Sequence, residues 1–347
     1  MCNIAGYIGN RPAAPILIGM MKAQEGYCGG YYTGMTTFHE GKLYHAKVMG
    51  DVDTFLEKTA GMEFPGTVGV IHSRSASGGD WHWGHPFVSQ DDRLSLVLNG
   101  AKDRFASICE DNDAARILAE AGRVFETETP WCEKLKAYPV LPNGNSVHYS
   151  EVLCLLTDYY KKEEALPTYL ALEKAFIKMP GEIVALGLCA DDPGAVIFAK
   201  YNMPMSVART EEEVFIGSFS IAFPRDRKYL TLDELPAASS GRITLEETCV
   251  HRFKPALEMG KMTPKILHDA YEAVMDTLKT EGPCNIGRLN KAVRVLWGDK
   301  VDLRYPATYS ILRELDDRGL LEIHKRTVDG AEPGLTAPAF TVSLKEV

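Results

Sequence analysis

Cys2-Asn3-Ile4-Ala5-Gly6-Tyr7-Ile8-Gly9 follows directly on Met1. Cysteine is small enough for an initiator methionine ahead of it to be trimmed. Trimming would leave a thiol and a free α-amine on one residue. An α-amine titrates near ~8 and a thiol near ~8.5, so the amine can serve, directly or through a water, as the base for its own side chain. The apolar run Ile4–Ile8 reads as a short strand, which would seat the thiol at the strand's first residue. The plainer reading of position 2 is a buried cysteine that happens to begin a strand. The rest of the chain decides between the two.

Working outward, the first 250 residues or so read as strands with helices between them. Tyr31–Phe38 and Leu43–Val48 form a predicted strand pair across the turn His39-Glu40-Gly41-Lys42. Gly66–His72 is a further strand. Leu94–Leu98 is another, ending at Asn99-Gly100. Ser150–Tyr160 has helical spacing with Ser150 as its N-cap. Ile183–Leu188, Ala195–Lys200, Met205–Ala208 and Val214–Gly217 are four more short strands. Hairpins interrupted by helices imply sheets covered by helices on their outer faces. The character changes between Pro255 and Thr263. Beyond it come three helices, Ile266–Leu278, Ile286–Leu296 and Ala307–Asp317, then two strands, Leu321–Arg326 and Ala339–Leu344. That order is the order of a winged helix-turn-helix.

Several segments, taken in order, resemble the class II glutamine amidotransferases. They are the opening octapeptide; Gly26-Tyr27-Cys28-Gly29-Gly30; Val70-Ile71-His72-Ser73-Arg74-Ser75-Ala76-Ser77-Gly78-Gly79; His85-Pro86-Phe87; Leu96-Val97-Leu98-Asn99-Gly100; Tyr149-Ser150-Glu151-Val152; Pro204–Ala208; and Val214–Ser218. The resemblance covers roughly residues 2 to 230. It implies an α+β fold, the four-layer αββα sandwich of the N-terminal nucleophile hydrolases, over residues 1–255. Residues 262–347 would form a small winged-helix-like domain.

The resemblance also implies roles. Cys2 is the nucleophile. The Asn99 side-chain amide and the Gly100 backbone N–H are the donors for the oxyanion formed when a carboxamide is attacked. Arg74 offers a planar fork to an α-carboxylate. Ser75, Ser77, His85 and Tyr149 complete the substrate-binding set. Two positions depart from the family pattern. Tyr149 stands where the family has the aspartate that binds the α-ammonium of glutamine, so a neutral phenol replaces a charge. Ser75 stands where a Trp or Tyr is usual.

Composition narrows the rest. The 347 residues carry a net charge of −9, which gives no general reason to bind nucleic acid or an anionic membrane. No apolar run is long enough to span a bilayer. The N-terminus lacks the basic and apolar segments of a signal peptide, which points to the cytoplasm. Eight cysteines include no Cys-x-x-Cys pair, so neither a zinc site nor a redox pair is expected. Asp80, His82 and His85 lie in a loop matching a family segment with no metal role. No metal and no cofactor are expected. The tail's third helix carries Arg313 beside Glu314, Asp316 and Asp317. That mixed charge favours protein contact or dimerisation over DNA, and a homo-oligomer is left open. The tail is too short for a sugar isomerase or phosphoribosyltransferase domain, so an acceptor of ammonia would lie on a separate subunit, or there is none. The expected activity is release of ammonia from glutamine or a related carboxamide through a Cys2 thioester. The rival reading is a ligand-sensing protein with a winged-helix output and little turnover.

Overall fold

A computed structural model describes residues 2–76 and 78–345. The chain opens with β1 (Asn3–Gly9) and α1 (Ala13–Gln24), then the hairpin β2 (Tyr32–His39) and β3 (Lys42–Met49). Glu40 and Gly41, the two residues at its tip, both have positive φ, as a tight hairpin turn requires. Next come α2 (Val52–Lys58), β4 (Val68–Arg74), the two-residue β5 (Phe87–Val88), β6 (Leu94–Ala101) and α3 (Asp111–Glu120). A two-residue pair, β7 (Thr129–Pro130) and β8 (Asn145–Ser146), precedes α4 (Tyr149–Glu163) and α5 (Thr168–Lys178). Then follow β9 (Glu182–Cys189), β10 (Val196–Lys200), β11 (Ser206–Arg209), β12 (Glu213–Gly217), β13 (Thr231–Glu234), β14 (Ser239–Ile243) and β15 (Thr248–Arg252). The tail holds α6 (Pro264–Glu281), α7 (Ile286–Arg294), α8 (Arg304–Asp317) and the antiparallel pair β16 (Leu321–Asp329) and β17 (Thr336–Leu344).

Two sheets carry the mixed α/β body. One has seven strands in the order β13-β11-β12-β1-β4-β2-β3, the other six in the order β15-β14-β10-β9-β6-β5. Alternation along the strands gives each sheet two apolar faces. Between the sheets lies a core that includes Ile4, Ile8, Val70, Val97, Val184, Leu186 and Phe198. The outer face of the first sheet packs on α1 and α2 through Tyr7, Leu17, Ile18, Phe55, Ile71 and Phe215. The outer face of the second packs on α3, α4 and α5 through Leu96, Leu118, Val152, Leu156 and Phe176. No described helix is long and apolar enough to cross a membrane.

Two differences from the sequence reading bear on the site. The strand expected to end at Leu98 runs on through Asn99 and Gly100 to Ala101, with Asn99 opposite Val184 and Gly100 opposite Ile183. Asn99-Gly100 is therefore strand, not a turn. The helix expected from Ser150 starts one residue earlier, and its N-cap is His148, whose Nδ1 accepts from the Ser150 N–H at 3.1 Å.

The tail is tied closely to the body. The Phe340 N–H donates to the Gly26 carbonyl at 2.6 Å. A Cβ on Gly26 would stand 2.2 Å from the Phe340 ring, and one on Gly30 2.9 Å from Pro338. The glycines of the 26–30 loop are what let β17 approach. Tyr27 and Phe219 join the tail's own core with Leu289, Tyr309, Leu312 and Val342.

Candidate active site

β1 lies between β12 and β4 in its sheet. Asn3 is opposite Ser73, which brings Cys2 beside the end of β4. Asn3 is itself buried, and its Nδ2 donates to the carbonyls of Gln24 and Cys28 at 2.6 and 2.7 Å. The residue after the thiol thus pins the glycine loop against it. The Cys2 Sγ lies 3.9 Å from the Ser75 hydroxyl.

The Cys2 nitrogen donates to Asn99 Oδ1 at 3.1 Å. That bond fixes the amide's orientation and turns Nδ2 the other way. Asn99 is fully buried, and Nδ2 has no hydrogen-bond partner among the described residues. An unmade donor bond in such a place costs about 1–3 kcal/mol, which a bound acceptor would recover. Gly100 has φ of 121°, and a Cβ there would meet the Glu182 carbonyl oxygen at 2.0 Å. Only glycine fits.

Arg74 is 2% exposed. Its guanidinium donates to the Gly78 carbonyl at 2.9 Å and the Tyr138 hydroxyl at 3.3 Å, and lies 4.6 Å over the Tyr32 ring. Among the described residues no carboxylate pairs with it. A buried cation without a counter-ion is expensive, and an anionic ligand would repay that cost.

Sequence reasoning missed His72. It sits two residues before Arg74 on β4, so strand alternation puts both on one face, and that spacing was the available signal. His72 Nε2 lies 3.0 Å from the Leu98 carbonyl of the facing sheet. Burial opposes ionisation of the Cys2 thiol. The neighbouring His72, then the chain's amino terminus and the Ser75 backbone N–H, outweigh that and lower the thiol to about 6. Burial instead pushes the Cys28 thiol up, and Cys28 Sγ lies 3.7 Å from the Tyr309 hydroxyl.

The remaining expected residues divide. Ser75 touches the thiol. His85 is buried with its ring centroid 4.0 Å from that of His72 at a 35° tilt, and neither of its ring nitrogens has a partner among the described residues. Burial, then the neighbouring His72 and His148, hold His85 well below the usual histidine range. Ser77 lies outside the described residues. Tyr149 is not brought to this group: its hydroxyl donates to the Met179 carbonyl inside the core under α4 and α5. The residue that α4 presents beside Arg74 is His148, with ring centroids 5.3 Å from both Tyr138 and Trp83. Burial and the Arg74 charge keep it well below the usual histidine range. Asp80 and His82 pair with each other, and no cluster able to hold a metal occurs among the described residues.

The group thus combines a low-pKa thiol, a buried carboxamide donor without a partner and a buried guanidinium without a carboxylate among the described residues. The chain is 26% identical over 298 residues to the glutamine–fructose-6-phosphate aminotransferase of Gluconobacter oxydans, covering 84% of this chain and 45% of that enzyme. It is 26% identical over 279 residues to the enzyme of the same name from Pyrococcus horikoshii, covering 75% and 41%. The chain thus spans less than half the length of these relatives. Its fold matches the glutamine phosphoribosylpyrophosphate amidotransferase of B. subtilis with a TM-score of 0.59 at 16% identity, over 87% of this chain and 65% of that one. No family model matches. In sequence the chain is similar to these glutamine amidotransferases, and it shares the fold of the B. subtilis enzyme.

Proposed function

We propose that the chain, once Met1 is removed, releases ammonia from glutamine or a related ω-carboxamide through a thioester on Cys2. The Cys2 sulfur attacks the amide carbon. Asn99 Nδ2 and the Gly100 N–H receive the oxyanion, and the α-amine returns a proton to the departing ammonia. Water then hydrolyses the thioester, freeing the acid and restoring the thiol, and the ammonia passes to an acceptor on a separate subunit. Arg74 holds the substrate carboxylate, with Ser75 and His85 nearby. The observation that carries the reading is the Asn99 amide: its oxygen is taken by the Cys2 nitrogen, so its buried N–H group is left for a substrate-derived oxygen. Replacing Asn99 by Ala tests it. One such donor supplies about 3 kcal/mol in the transition state. Ammonia release should therefore lose about 100-fold or more in kcat with KM little changed. An unchanged kcat would remove Asn99 from the mechanism.

Residues 1–255 are the proposed amidotransferase domain and residues 262–347 a proposed winged-helix-like domain. Three helices followed by the β16–β17 hairpin support the latter.

A further inference from the structure

Around the Arg74 guanidinium stand rings rather than acids. It lies 4.6 Å over the Tyr32 ring, and the Tyr138 hydroxyl accepts from it at 3.3 Å. Trp83 and His148 flank Tyr138 with ring centroids at 4.8 and 5.3 Å. His148 in turn lies 4.9 Å from Phe87 and 5.5 Å from His85. The charged and titratable groups that bear on the His148 ring are Arg74, Lys47 and His72, all of them basic. Lys47 also stands 4.9 Å over the Phe87 ring.

The acidic residues of the surrounding segments are engaged elsewhere. Glu151 accepts from the N–H groups of Glu126 and Thr127. Glu126 pairs with Lys47 at 2.7 Å, and Asp80 with His82 at 3.1 Å. Glu332, in the turn between β16 and β17, is exposed and lines a separate hollow with Lys47 and Lys58. A molecule bound through a carboxylate at Arg74 therefore meets one buried positive charge with one negative charge. An α-ammonium on the same molecule would bring in a second cation a few bonds away, near Arg74 and Lys47, with no anion to meet it. An uncharged α-substituent brings none.

His148 favours one kind of uncharged substituent. Its Nδ1 accepts from the Ser150 N–H, and burial and the Arg74 charge keep the ring neutral, so its one proton sits on Nε2. The nitrogen left to a ligand is a donor. It suits an oxygen and offers nothing to an ammonium, which has donors alone.

We infer that the amide donor is an ω-carboxamide acid with an uncharged hydroxyl at its α position where glutamine has an ammonium, and that His148 sets this choice. The products are then ammonia and a 2-hydroxy dicarboxylic acid, and glutamine is the poorer substrate. The inference rests on the proposed function for the chemistry at the amide.

The test starts with the Cys2→Ala chain, in which a ligand is bound and not consumed. Two amides of the same shape, 2-hydroxyglutaramate and L-glutamine, are titrated by calorimetry. The hydroxy acid should bind at least about tenfold more tightly, a difference of ~1.4 kcal/mol. His148→Asp keeps an N-cap acceptor for Ser150 and adds the missing charge, so the preference should turn toward L-glutamine. His148→Asn keeps the cap without the charge and should keep the preference for the hydroxy acid. In the chain with Cys2 intact and Met1 removed, ammonia release gives a second readout. The kcat/KM for L-glutamine relative to that for 2-hydroxyglutaramate should rise as pH passes the pKa of glutamine's own α-amine, since titrations of the protein cancel in the ratio. L-Glutamine bound as tightly as the hydroxy acid, binding of neither, a preference unmoved by His148→Asp, or a ratio flat with pH would each overturn the inference. The expected preference in Cys2→Ala without ammonia release from the intact chain would count against the thioester chemistry and not against the choice of ligand.

Discussion

At Cys2 the deciding quantity is the fraction of thiolate. Since the thiol is lowered to about 6, its anion is present above that pH and lost as pH falls through it. Iodoacetamide alkylation of Cys2 should reach half its maximal rate near pH 6, while Cys28, whose thiol is pushed up, stays slow. Peptide mapping of the modified chain reads both. His72→Gln should move the Cys2 midpoint upward; an unmoved midpoint would show that His72 only packs. Arg74 makes a sharper contrast. Arg74→Met replaces a buried, carboxylate-free cation with an apolar chain of similar length, so Tm should hold or rise. KM should rise at least about 100-fold as the carboxylate loses a charge-assisted fork. A fall of several degrees in Tm would mean that the bonds to Gly78 and Tyr138 are the residue's purpose. Tyr149 and His148 separate in the same way. Tyr149→Phe should cost about 1–3 kcal/mol of stability by leaving the Met179 carbonyl unpaired and leave KM alone. His148→Asp should lower KM for L-glutamine, because the one carboxylate in the first turn of α4, Glu151, is taken by the Glu126 and Thr127 N–H groups and is not free to meet an α-ammonium. A KM unchanged in His148→Asp would place the ammonium elsewhere.

Elements explain what the sequence made legible. β1, β4, β9 and β12 were readable because each is a short apolar run bounded by turn residues, and the β2–β3 hairpin because β-branched and aromatic residues flank a Gly-containing turn. α1 was not: it carries Pro15 in its first turn, where proline is tolerated, and it is apolar on most sides, so no helical period emerges. α3 and α5 were passed over, as were the exposed edge strands β13 and β15, which have no buried run to betray them. At the site, Cys2, Arg74, Asn99 and Gly100 came from motif order. His72 and the burial of Arg74 did not, since strand registers and the facing sheet set them. The off-by-one at α4 has a plain cause. Tyr and His at successive positions point to opposite environments at a helix start, and only packing says that the phenol goes inward. Gly100 gives an element-scale prediction. Gly100→Ala puts a methyl 2.0 Å from the Glu182 carbonyl at a φ of 121°. β6 and β9 must separate there, at a cost above ~2 kcal/mol, visible as a drop in Tm. A Tm equal to that of the parent would mean that the strand pair has room.

Over the whole molecule the tail and the body share a core and a glycine loop. Tyr27 packs edge-on against both Phe219 and Phe340 at centroid distances of 5.0 and 5.1 Å. Asn202 donates to the Asp302 carbonyl at 3.0 Å. Tail and thiol are therefore mechanically close: Asn3 bonds the Cys28 carbonyl, the same loop's Gly26 bonds Phe340, and Cys28 faces Tyr309.

The central claim is that Cys2, freed of Met1, is the covalent centre. Intact mass establishes that Met1 is gone, and the protein is then treated with 6-diazo-5-oxo-norleucine and mapped. One adduct per chain is expected, on Cys2, absent from Cys2→Ala and formed faster as pH rises through about 6. An adduct on Cys28, or none on a chain shown to begin at Cys2, would contradict it.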